Sequence, residues 1–107
     1  MSIDQFRPAI ERWAMSFPAI HRVWLYGSRV KGTARPDSDL DVAVEIHRHA
    51  FRGQPPDVWW MFESRAMKDA LRALVHVVPD VQQYEESARE VLSGVADHGL
   101  LVYGPPT

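Results

Sequence analysis

The chain is expected to fold as a small α/β domain of the α+β kind, a mixed sheet with helices packed on one face. Three observations predict this. Apolar residues recur at helical spacing in three segments. Shorter runs rich in strand formers alternate with them, in the order helix, strand, strand, helix, strand, helix, strand. The length of 107 residues, 46% of them apolar, allows one domain over 1–107 with a limited core, so each apolar stripe must be used against a shared sheet. Such an arrangement leaves one sheet face available for chemistry.

Residues 3–16 read as an amphipathic helix, with Ile3, Phe6, Ile10, Trp13 and Phe17 at spacings of three and four. Ser2 or Asp4 is placed to cap it, and Pro8 suits a first turn. Residues 19–26 end in Val23-Trp24-Leu25-Tyr26, a strand apolar enough to be buried on both faces, and Gly27 stops it. Residues 27–39 are a Gly-, Pro-, Ser- and Asp-punctuated turn with room for one helical turn after Ser28. Residues 40–46 form the second strand. Leu40, Val42, Val44 and Ile46 share one face, and Asp41, Ala43 and Glu45 share the other.

Residues 47–57 are a loop on composition. Residues 58–74 predict the second long helix, capped by Asp57, with an apolar stripe of Trp59, Phe62, Ala66, Ala70 and Ala73 or Leu74. Residues 75–84 are strand-like but interrupted by Pro79, giving two short strands or one after a turn. Residues 85–98 predict a third helix with Ala88, Val91, Leu92 and Val95 inward and Gly99 as its stop. Residues 100–103 are a last strand, suited to a sheet edge, before a Gly-Pro-Pro tail.

Lys plus Arg number 12 against 14 Asp plus Glu, a formal net charge of -2, so composition does not describe a basic nucleic-acid binder. The absence of Cys excludes disulfides, thiol catalysis and Cys-ligated metals. Neither an eighteen-residue apolar span nor a secretory leader is visible, so no membrane partner is expected and a cytoplasmic location is the default.

The candidate chemistry lies at the start of the second strand. Asp39 and Asp41 are one residue apart, so period two puts both carboxylates on one side. Two such charges oppose each other and oppose burial. A hard cation such as Mg²⁺ removes both objections and keeps coordination sites for phosphate. Gly27 permits close approach of a phosphate to the backbone, and Ser28 adds a hydroxyl donor. Arg29, Lys31 and Arg35 add positive charge nearby. Taken singly, a D-x-D pair also reads as a cap or a solvated edge, Gly-Ser as a plain turn, and the basic residues as a solvated face.

His47 and His49 share a face if extended and make a weak metal signal. His21 reads as a surface or packing residue, and His76 as a satisfied core imidazole. In Trp59-Trp60-Met61-Phe62 one helix face cannot bury all four side chains. Phe62 with either Trp59 or Val58 suits the core, leaving Trp60 and Met61 outward, for local packing or for a partner.

The run YGSRVKGTARPDSDLDVAVEI resembles the signature of the minimal nucleotidyltransferases, small members of the DNA polymerase β-like superfamily. Gly27-Ser28, Gly32, Ser38-Asp39 and Asp41 each match that pattern. The resemblance implies a nucleotidyltransferase-like fold. It implies nucleotide phosphates held at Gly27 and Ser28, and Asp39 and Asp41 as catalytic ligands of Mg²⁺, two ions in all. The family pattern usually carries a third carboxylate on a later strand. If that strand is 81–84, Gln82 or Gln83 falls there, with Asp80 upstream and Glu85 downstream as the nearest acids. Asp80 is the candidate third metal ligand, although after Pro79 it also reads as a turn residue.

The resemblance further implies an adenylyltransferase using ATP. Stand-alone minimal members commonly pair with a helical HEPN-type toxin, whose tyrosine can accept AMP. The expected partners are therefore a nucleoside triphosphate and a HEPN-type protein, or a second copy of the chain, rather than nucleic acid. The alternative is a catalytically inactive nucleotide-binding or antitoxin module that acts by binding its partner. An aminoglycoside-modifying enzyme ranks lower, because its drug pocket needs more chain.

Overall fold

The computed structural model describes residues 3–48 and 53–106. A 3-10 turn at Ile3–Phe6 runs into helix α1 (Arg7–Met15), with Pro8 in the first turn, where an N–H has no intrahelical acceptor to lose. The suggested Ser2 cap lies outside the described residues, and Asp4 pairs with Arg7 at 2.9 Å. Strand β1 (Ile20–Tyr26), the short helix α2 (Ser28–Lys31) and strand β2 (Leu40–Ile46) follow. Helix α3 (Pro56–Leu74), strand β3 (Pro79–Gln83), helix α4 (Arg89–His98) and strand β4 (Leu100–Tyr103) complete the chain.

The four strands form one mixed sheet in the order β3-β2-β1-β4. β1 is antiparallel to both β2 and β4, whereas β2 and β3 are parallel. A parallel pair needs a crossover, and α3 supplies it. β4 sits at an edge, as its sequence suggests. No described helix is long and apolar enough to cross a membrane.

The pleat divides the sheet cleanly. Val23, Leu25, Leu40, Val42, Val44, Ile46, Val81 and Val102 face a core closed by Phe6, Ile10 and Trp13 on one side and Trp59, Met67 and Leu71 of α3 on the other. Trp13 lies fully inside, and its Nε1–H donates to the Met67 carbonyl at 2.9 Å, satisfying its one polar group. Helices α1 and α3 therefore cover one face, as expected. Helix α4 amends that picture by lying over the middle of the opposite face. There Val91 buries Trp24 and Ala43, with Tyr26, Tyr84, Val95 and Leu101 packed around them. The exposed parts of this second face are thus its two ends.

Several expectations are corrected. α3 starts at Pro56, so Asp57 belongs to its first turn rather than capping it, and it accepts from Gln83 Nε2 at 3.0 Å. The buried face of α3 runs through Trp59, Met67 and Leu71, not through Phe62, Ala66 and Ala73. Met67 and Leu71 remove far more apolar area from water than the alanines one step around the helix, and that decides its rotation. Phe62 is left 74% exposed, beside Met61, while Trp60 is half-buried with the Lys68 ammonium 5.7 Å from its ring. His76 is not in the core; it is exposed and stacks on Phe6 at 5.4 Å. Residues 85–88 precede α4 as a turn in which the Ser87 N–H and hydroxyl both bond the Glu85 carboxylate.

The rotation of α3 is testable. Leu71→Ala is expected to cost about 2–5 kcal/mol, and Phe62→Ala to fall within about 0.5 kcal/mol of the parent. Urea denaturation reads both. Equal losses at the two positions would refute the face assigned here.

Candidate active site

Three neighbouring strands bring chemistry to one end of the second sheet face. In the pairing register Tyr26 stands opposite Asp41, and Asp41 stands beside Asp80. The three side chains share a face because the register carries one pleat position across all three strands. Asp80 is therefore a strand residue, which corrects the turn reading, and β3 starts at Pro79 rather than at Val81. Proline is tolerated as the first residue of an edge strand. Of the alternatives, Gln82 lies one pleat step further in, beside Ala43, and donates from Nε2 to Asp80 at 2.8 Å. Gln83 turns to Asp57. Glu85 lies beyond the far end of β3, where its hydrogen bonds to Ser87 hold its carboxyl below the usual range.

Gly27 follows Tyr26 directly, with φ 80°. A Cβ here would stand 1.9 Å from Asp41 Oδ2, so the position excludes a side chain sterically as well as conformationally. The Gly27 carbonyl accepts the N–H groups of Val30 and Lys31 at 3.1 Å each, which starts α2, and Gly32 at φ 81° ends it. Ser28 is the first residue of that turn and is half-buried.

Arg29 does not face the carboxylates. Its Nε and Nη2 donate to the Ser38 carbonyl at 3.1 and 2.7 Å, and Nη2 also reaches the Pro36 carbonyl at 3.1 Å. It thereby ties α2 to the loop that delivers Asp39. Ser38 Oγ accepts the Arg35 N–H at 2.8 Å, closing the same loop. Lys31 and Arg35 are exposed.

The electrostatics are one-sided. Burial pushes the Asp41 carboxyl above its usual range, and the charges of Asp80 and then Asp39 push it further. Burial together with Asp41, Asp80 and Glu90 pushes the Tyr26 phenol up to about 12. None of Asp39, Asp41 and Asp80 has a salt-bridge partner among the described residues. Hard carboxylate oxygens crowded without a counter-charge suit a Mg²⁺-type cation. Among the described residues no group of three or more His, Cys, Asp or Glu forms a ready-made metal cage. A cation bound by these carboxylates would draw the rest of its coordination shell from water or a ligand's oxygens.

Sequence reasoning passed over two residues of this site. Tyr26 reads only as a strand residue, and its position beside Asp41 comes from the register. His98 accepts the Gly27 N–H on Nε2 at 2.7 Å, with Nδ1 2.9 Å from Asp97 Oδ2. A His before a helix-stopping Gly carries no motif, and only the packing of α4 brings it here. Two other histidines, His21 and His47, lie at the far end of β1 and β2. There His47 stacks on His21 at 4.4 Å, and His21 pairs with Glu45 at 2.9 Å. Burial and then His21 lower the His47 pKa. His49 lies outside the described residues.

The strain at Asp41 sets a pH dependence. Its folded-state pKa lies above the ordinary 3.8, so the folded chain holds that proton more tightly than the unfolded one. In the absence of divalent cations, the stability this proton supplies is present below the ordinary value and is lost as pH rises through the raised one. Asp41→Asn is therefore expected to exceed the parent in stability at neutral pH, with the gap closing in acid. Urea midpoints across pH measure this, and an unchanged midpoint at neutral pH would contradict it.

Residues 9–105 match the polymerase beta nucleotidyltransferase family. No curated protein is a significant match to the chain. Among solved structures, a toxin–antitoxin crystallised with AMP-PNP superposes with a TM-score of 0.68 at 19% identity, covering 92% of this chain and 73% of that one. A complex of tri-AMPylated Shewanella oneidensis HEPN toxin with MNT antitoxin superposes with a TM-score of 0.62 at 16% identity, covering 95% and 72%. At these identities the structural likenesses establish the fold, and the match over residues 9–105 carries the assignment further: the chain belongs to the polymerase beta nucleotidyltransferase family.

Proposed function

We propose that this chain is a Mg²⁺-dependent adenylyltransferase that moves AMP from ATP to a tyrosine of a HEPN-type toxin, acting as that toxin's antitoxin in the cytoplasm. The observation that carries the reading is the register of Asp80 beside Asp41, whose carboxylate lies against Gly27; it supports Asp80 as the third acid. Family membership supports the reaction class. The AMPylated HEPN toxin in one similar structure supports the choice of acceptor. Met61 and Phe62, exposed on α3, offer that partner an apolar contact.

In this reading Gly27 lets the triphosphate approach the backbone, and the Ser28 hydroxyl donates to it. Asp39, Asp41 and Asp80 would hold the two Mg²⁺ ions, which would offset charge on the phosphates and lower the pKa of the acceptor hydroxyl. The acceptor hydroxyl gives up its proton to solvent as its oxygen bonds to the α-phosphorus, the bond from that phosphorus to the bridging oxygen breaks, and pyrophosphate leaves. Arg29 acts at a distance, by keeping the loop of Asp39 in register with α2.

Intact-mass analysis of the partner after incubation with the chain, ATP and Mg²⁺ tests this directly. AMP additions on tyrosine are expected. Asp39→Asn with Asp41→Asn is expected to abolish them while partner binding survives. Asp80→Asn is expected to slow transfer by roughly a hundredfold or more, the scale of losing one group that stabilises transition-state charge. Tight partner binding with no transfer would replace the enzyme by a binding module.

A further inference from the structure

We infer that His98 is a positioning residue for the nucleotide, holding the Gly27 peptide in the orientation that the phosphates and Asp41 require; this rests on the nucleotidyltransferase reading above. Gly27 is pressed from two sides. Asp41 lies against one side so closely that no Cβ fits, and the Gly27 N–H is held on the other by His98 Nε2 at 2.7 Å. A peptide at φ 80° is not kept there by any preference of glycine, which samples both signs of φ about equally. The hydrogen bond supplies the missing bias.

The bond also fixes the imidazole. Nε2 must present its lone pair to the Gly27 N–H, so the ring proton sits on Nδ1 and is donated to Asp97 Oδ2 at 2.9 Å. The ring is largely sheltered, at 17% exposure, whereas Asp97 is 78% exposed. Two glycines set the reach of this arm. At Gly94 a Cβ would come within 2.9 Å of Tyr26 Cδ2, so its absence lets α4 close on the end of β1. Gly99 turns the chain so tightly after His98 that a Cβ would meet the Val95 carbonyl oxygen at 2.6 Å. The helix that covers Trp24 and Ala43 thus ends on the phosphate turn. Lys31, Arg89, Gly94 and His98 line the groove between them.

The test compares full-length variants by calorimetry with a non-hydrolysable ATP analogue and Mg²⁺, and by hydrogen exchange at the Gly27 amide. His98→Ala is expected to weaken nucleotide binding by roughly three- to tenfold, the scale of one hydrogen bond, and to speed exchange at Gly27. His98→Gln keeps an acceptor near the Nε2 position and is expected to recover most of both. His98→Asn is too short to do so, and it stands in for the alanine variant should that one not fold. Affinity unchanged in His98→Ala or His98→Asn, even with lowered thermal stability, would overturn the inference, as would a Gln variant no better than Asn. A parent chain that binds no nucleotide while its Gly27 amide is protected would overturn the nucleotide reading itself, and the positioning role with it. A parent that binds while only the variants fail isolates His98.

Discussion

The candidate site of this protein depends on how closely one stretch of backbone approaches one carboxylate. The carboxylate of Asp41 occupies the space a side chain at position 27 would need. Because β1 and β2 are paired in register, that contact cannot relax by sliding. A slip of one residue would carry Asp41 into the apolar core and Val42 onto the acidic face. The register that buries Leu40, Val42, Val44 and Ile46 therefore also locks the turn against the acid.

β2 shows the division of labour within one strand. Asp41 and Glu45 lie on the same face, at its two ends. Glu45 is met by Arg22 at 2.6 Å and His21 at 2.9 Å, so its charge is resolved within the fold. Asp41 is met by Asp80 and Asp39, so its charge is not. Between them Trp24, Ala43 and Val91 keep the face dry. One end of the strand has its charge paired within the fold, and the other gathers carboxylates without a salt-bridge partner among the described residues.

The part of the candidate site legible in the sequence is its shortest-range part. Gly27, Ser28, Asp39 and Asp41 fall within one turn and one strand start, and the pleat of β2 follows from alternation alone. Asp80 was harder to place, because Pro79 reads as an interruption until it is seen at the head of an edge strand, where its missing N–H does little harm. The face of α3 was misread because periodicity admits two stripes, one through Phe62 and the alanines and one through Met67 and Leu71. Packing against Trp13 chose between them. His98 left no trace in the sequence, since its position depends on how near α4 comes to β1, and that depends on Gly94.

The parallel pairing of β2 with β3 has a consequence for synthesis. β1, the turn after it with α2, and β2 are contiguous and can pair as soon as they leave the ribosome, at little loop-closure cost. β3 can join only after the whole of α3 has been made and has docked, since a long-range parallel pair forms late. A nascent chain thus displays Asp39 and Asp41 well before Asp80 is aligned, and α4 with His98 comes later still. The order of translation thus delays the alignment of all three acids with His98 until α4 has been made.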